Sequence, residues 1–94
     1  MKYSISFEHT ASIQLERAIQ WCLTFENGLE KKFFNSFEKG INYILKNPYK
    51  CQIRYYDVRI KFIKPVKFGI HYIIRDSIIY VVGVYHTSED SIKR

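Results

Sequence analysis

Apolar and polar positions alternate at the start of the chain: Tyr3, Ile5 and Phe7 are interleaved with Lys2, Ser4 and Ser6. This period of two predicts a strand with one buried face. From about Thr10 the period lengthens. Ala11, Leu15, Ala18, Cys22 and Phe25 recur at steps of four and three, which is one face of a helix. Asn27-Gly28 stops it, because glycine readily takes the left-handed conformation that follows a helix end. A second helix is predicted over Leu29–Lys46, with Phe33, Phe37, Ile41 and Ile44 as its stripe and Phe34 and Leu45 widening it. Gly40 sits inside this helix at a cost of about 1 kcal/mol relative to alanine, so a close approach to another helix is expected there. Asn47-Pro48 ends it, since the residue before proline avoids the helical region. The short connection makes the two helices an antiparallel hairpin.

The rest of the chain reads as strands. Val58, Ile60 and Phe62 alternate with Arg59 and Lys61, and Pro65 then interrupts. Phe68, Ile70, Tyr72 and Ile74 alternate with Gly69, His71, Ile73 and Arg75, and Asp76-Ser77 reads as a two-residue turn. Ile78 to Tyr85 is apolar on both faces apart from Gly83 and the tyrosine hydroxyls, which marks a central strand. The expected fold is α+β in the order β-α-α-β-β-β. A helical hairpin packs on one face of a small, mostly antiparallel four-stranded sheet with spatial order one, four, three, two. Arg59 and Lys61 are then expected to point with His71 and Arg75 away from the helices.

Length and composition narrow the possibilities. Ninety-four residues make one domain, 1–94, because two cores do not fit. An apolar content of 47% excludes a disordered chain, and no run approaches the ~20 apolar residues that span a bilayer. The N-terminus has no apolar signal segment, so a cytoplasmic protein with no membrane partner is expected. Cys22 and Cys51 are 29 positions apart and lack metal-ligand spacing; they read as two small buried apolar residues, with no metal and no cofactor implied. The net charge of +6 is uneven. Residues 46–75 carry eight cations (Lys46, Lys50, Arg54, Arg59, Lys61, Lys64, Lys67, Arg75) against the single carboxylate Asp57, a net of +7. Such a concentration favours an acidic or polyanionic partner, or serves only as a solvated basic surface.

Val58-Arg59, then Phe68-Gly69-Ile70-His71-Tyr72-Ile73-Ile74, then the run from Ile78 through Tyr85-His86-Thr87-Ser88-Glu89-Asp90 resemble three signatures of the RelE/ParE superfamily of bacterial type II toxins. These are an arginine-bearing strand, an aromatic-x-Ile-x-Tyr strand and a final strand running into a His-x-x-Arg-Asp-like end. The resemblance covers the whole chain and implies a toxin neutralised by a cognate antitoxin, with a toxin–antitoxin heterotetramer as one assembly open to it. Its RelE branch implies metal-free cleavage of mRNA on the ribosome; its ParE branch implies inhibition of DNA gyrase without cleavage. Glu89 stands where many relatives carry arginine, and Gly69 where RelE carries one. Both departures tilt away from the RelE type of site, but His86, Arg59 and Lys61 stand in its favour. Ribosome-associated mRNA cleavage is therefore the expected function, and gyrase inhibition without cleavage its alternative.

Metal-free RNA cleavage needs a base for the 2′-hydroxyl, cations for the phosphate and an acid for the leaving oxygen. His86 is the acid/base candidate, since imidazole titrates near neutrality and the resemblance carries a histidine role onto it; the alternative is a strand-end histidine bonded to the C-terminal tail. Tyr85 lies beside it, and Glu89 or Asp90 is available as base. Arg59 matches the family's strand arginine and could grip phosphate bidentately, or pair with Asp57 or Asp90. Lys61, Lys64, Lys67, Arg75 and His71 complete the candidate nucleic-acid contacts, His71 having a scaffold role as its alternative. Tyr55, Tyr56 and Tyr85 could stack on bases or pack at an edge. His9 is expected near the start of the first helix, with no role in the site.

Overall fold

A computed structural model describes residues 2–25 and 27–87 of the 94-residue chain. The elements run β1 (Ser4–Phe7), α1 (His9–Leu23), α2 (Leu29–Lys46), β2 (Ile53–Tyr55), β3 (Val58–Ile63), β4 (Phe68–Arg75) and β5 (Ile78–His86). The sheet order is β1-β5-β4-β3-β2, parallel between β1 and β5 and antiparallel elsewhere. This is the expected fold with one strand more than the four predicted. The extra strand, β2, is three exposed residues at the far edge, too short to leave a periodic signal.

The second helix ends where the sequence places its stop, at Asn47-Pro48, whereas α1 ends at Leu23, short of Asn27-Gly28. The hydroxyl of Thr24 donates to the Trp21 carbonyl at 2.6 Å, and Phe25 falls beyond α1 rather than on its stripe. Gly28, at φ 75°, lies in the left-handed region, and its carbonyl accepts from Lys31 N–H to open α2. The helices cover one face of the sheet. Ala11, Ala18 and Cys22 of α1 and Phe33 and Ile44 of α2 are buried against Phe68, Ile70, Tyr72, Ile79 and Val81. Phe33 stacks on Phe37 at 5.7 Å between ring centres and meets Phe68 edge-on at 5.2 Å, so the aromatic stripe of α2 reaches the middle of the sheet.

Gly40 does allow a close approach, but to the sheet and not to another helix. A Cβ there would lie 2.8 Å from Ile63 Cγ2 and 3.0 Å from Ile70 Cδ1. The missing side chain lets α2 lie directly on β3 and β4. At the other end of the sheet Asp76, at φ 57°, makes the two-residue turn between Arg75 and Ile78. In β5 the pairing slips between His71 and Tyr72 of β4. Gln14 of α1 reaches this bulge, its Oε1 accepting from Val84 N–H at 2.9 Å.

Candidate functional site

Paired residues on neighbouring strands project to the same side, so the register assigns every strand residue to a face. Arg59 pairs with Tyr72 and Lys61 with Ile70, and both partners are fully buried under the helices. Arg59 and Lys61 therefore lie on the helix side, not on the bare side with His71 and Arg75 as the sequence suggested. Alternation showed that two kinds of residue take opposite faces of β3. It could not show which face the helices cover.

The two cations reach the flank of that covered face, beyond the C-terminal half of α2. Arg59 donates to the carbonyls of Cys51 at 2.6 Å and Tyr49 at 3.3 Å, with its guanidinium 5.1 Å from the centre of the Tyr49 ring. It clips the segment after α2 to the sheet. Lys61 places its ammonium 4.1 Å from the centre of the Tyr43 ring, a cation–π contact that lets its stem pack under α2. Between them Tyr72 is buried, its hydroxyl donating to the Pro48 carbonyl at 2.8 Å; burial pushes its pKa up, and a side-chain hydrogen bond with Cys51 adds to the shift.

His86 and Tyr85 are adjacent in sequence and point to opposite faces. His86 pairs with Phe68 on the helix side, and its ring lies 5.0 Å from Phe68 and 5.1 Å from the half-exposed Trp21 of α1. Arg59 shares this face but pairs with Tyr72, four residues further along β4, or roughly 13 Å. Gly40 of α2 is seated on Ile63 and Ile70 in the interval.

Tyr85 belongs to the uncovered face, paired with Gly69 and folded back over Gly83. There it meets His71, ring centres 4.7 Å apart. The Tyr55 hydroxyl lies 2.8 Å from His71 Nδ1. His71 is only 3% exposed, its Nε2 has no hydrogen-bond partner, and burial lowers its pKa to about 4. The ring is therefore neutral at physiological pH and is not a phosphate-binding cation. Burial, followed by the neighbouring Tyr85, raises the Tyr55 pKa, which keeps that hydroxyl protonated. Ile60 and Val58 are buried on this face beneath the aromatic rings, while Phe62 faces outward with the Arg54 guanidinium 5.3 Å from its centre.

The remaining candidates are dispersed. Arg75 is on the uncovered face and bonds Asp57, and this hydrogen bond holds the Asp57 carboxyl below its ordinary pKa. Lys64 and Lys67 lie in the β3–β4 turn, where the Lys64 carbonyl accepts from Ser36 and the Lys67 carbonyl from Thr87. Tyr56 is 94% exposed in the β2–β3 turn, and His9 opens α1. Glu89 and Asp90 lie outside the described residues. Among the described residues no three His, Cys, Asp or Glu side chains gather as metal ligands, and no helix is long and apolar enough to cross a membrane.

The structure thus separates His86 from Arg59, leaves Lys67 beside the His86 end of β5, and brings together Tyr55, His71 and Tyr85. Sequence reasoning missed Arg54, Phe62 and Gly83 as parts of that cluster. The only local signal was a glycine within the apolar run of β5, and its meaning depends on where the Tyr85 ring folds.

A family model described as the ParE toxin of the type II toxin–antitoxin system parDE matches residues 5–91. Among solved structures, the chain is similar to the chromosomal ParDE toxin–antitoxin system from P. aeruginosa, with a TM-score of 0.73 at 13% identity, covering 90% of this chain and 96% of that one. It is also similar to a double mutant of the E. coli toxin RelE in the free state, with a TM-score of 0.60 at 14% identity, covering 98% of this chain and 90% of that one. No match was found among curated protein sequences.

Proposed function

Since the chain belongs to the ParE toxin family of type II toxin–antitoxin systems, we propose that it arrests growth by binding its target without cleaving RNA, that the target is DNA gyrase, and that a cognate antitoxin neutralises it. One observation supports this reading: among the described residues, the candidate acid His86 and the candidate cation Arg59 do not converge. His86 packs against Trp21 and Phe68, and Arg59 is committed to two backbone carbonyls on the far flank of the same face. Tyr85 lies on the opposite face beside a neutral histidine. Gly69, where the RelE resemblance would put an arginine, is paired with Phe62 and borders Ile60.

Two assays on the purified protein test the proposal. Inhibition of gyrase-catalysed supercoiling, with intact mRNA in a ribosome-programmed translation reaction, is the expected result. New mRNA 5′ ends that disappear in His86→Ala overturn it in favour of cleavage.

A further inference from the structure

We infer that the uncovered face of the sheet, centred on Tyr55, Phe62 and Tyr85 and bordered by Arg54 and Arg75, is the surface through which this toxin docks on an acidic protein target. The inference rests on the proposed function and specifies where that binding takes place. A sheet face left bare by the helices is ordinarily polar, with apolar residues reserved for the core side. Here Phe62 is 38% exposed, Tyr85 37% and Tyr55 39%, and all three stand above the buried Ile60 and His71. Ile73 and Tyr80, paired with each other, extend the same apolar surface toward β1.

The composition of this face matches the centre of a protein interface, where tyrosine, phenylalanine and arginine are enriched and lysine and carboxylates depleted. Nucleic acid fits it poorly. Phosphate binding draws on several free cations, whereas among the described residues the face offers Arg54 over Phe62 and an Arg75 already bonded to Asp57. The histidine at its centre is neutral. Arg54 at the border complements an acidic protein surface, and the chain's net charge of +6 disfavours a second copy of itself. The part-buried Tyr55–His71 bond and the seat of Tyr85 on Gly83 hold the two rings in place before the partner arrives, which lowers the ordering cost of binding.

The test uses the full chain and three variants. Arg54→Glu and Phe62→Asp alter the face; Lys39→Glu, on an exposed position of α2, makes the same charge change as Arg54→Glu on the other side of the sheet. Thermal melts confirm folding, and Arg54→Glu keeps the test valid if Phe62→Asp does not fold. Surface plasmon resonance on immobilised gyrase should show at least tenfold weaker binding for the two face variants and less than twofold change for Lys39→Glu. Wild-type affinity in the face variants overturns the inference and leaves gyrase inhibition standing. If the wild-type chain does not bind gyrase, the proposed target fails, and growth arrest on expression becomes the readout. Arrest lost with Arg54→Glu but kept with Lys39→Glu then supports the face, and arrest kept in both overturns it. A homodimer that Arg54→Glu dissociates, or RNA cleavage that Arg54→Glu abolishes, also overturns it.

Discussion

Tyr55 and His71 are linked across β3, with the hydroxyl 2.8 Å from Nδ1 on the uncovered face of the sheet. The contact ties the short edge strand β2 to the central strand β4 through side chains. It also places a titratable ring where the protonated form is excluded from water. The histidine pKa falls from 6.5 in the unfolded chain to about 4 in the fold. Its neutral form therefore contributes stability that is complete above about pH 6.5 and is lost as the pH falls toward 4, because the unfolded chain takes up the proton first. The contribution is roughly 2–4 kcal/mol. Urea midpoints measured between pH 4 and 7 should fall on acidification, and His71→Leu should remove most of that slope. An unchanged slope in the variant would place the titrating group elsewhere.

Tyr55→Phe keeps the ring and removes the hydroxyl. His71 would then lack a partner at both nitrogens, since Nε2 already has none. Leaving a buried polar group unsatisfied costs about 1–3 kcal/mol. A drop in the thermal midpoint of several degrees is expected for Tyr55→Phe, read by circular dichroism. A loss below one degree would mean that water replaces the hydroxyl.

Much of the fold was legible because it follows from periodicity and punctuation. The bounds of α2 follow from Gly28 and Pro48, and the turn at Asp76-Ser77 from an aspartate that tolerates φ above zero. The central place of β5 follows from its two apolar faces. The candidate site was less legible, for a definite reason. In β3 the alternation of Val58, Ile60 and Phe62 predicts the helix side for these residues, because apolar residues ordinarily face the core. Tyr55 and Tyr85 make a second, smaller apolar cluster on the other side, and these rings come from strands distant in sequence. Lys61 is tolerated under α2 because Tyr43 accepts its ammonium, a contact that only the packed helix creates.

Gly40→Ala separates two opposing effects. Alanine favours the helix by about 1 kcal/mol, but its Cβ would meet the branched methyl of Ile63 at 2.8 Å. Ile63 is 5% exposed and has little room to yield. Overpacking of this kind costs about 1–3 kcal/mol, so a net loss of stability is expected. A raised melting temperature would show that α2 can lift from the sheet without penalty.

Arg59→Ala should destabilise the fold by about 1–2 kcal/mol, because charge-assisted hydrogen bonds to the carbonyls of Tyr49 and Cys51 are lost together. Arg59→Lys should recover little, since a single ammonium lacks the fork that reaches both carbonyls. Hydrogen exchange should locate the loosening in residues 47–52. If both variants melt as wild type yet abolish growth arrest, Arg59 contacts the target and is not a structural clip.

His86 distinguishes packing from catalysis most directly. Its ring fills the space between Trp21 and Phe68, at 5.1 and 5.0 Å. His86→Ala removes that filling and should cost about 1–2 kcal/mol, lowering toxicity only as far as it lowers the folded fraction. His86→Phe keeps an aromatic ring at the site but cannot transfer a proton. Growth arrest by His86→Phe at wild-type strength is therefore expected from a toxin that acts by binding. Loss of arrest in a His86→Phe protein with an unchanged melting temperature would restore proton transfer at His86 to the mechanism.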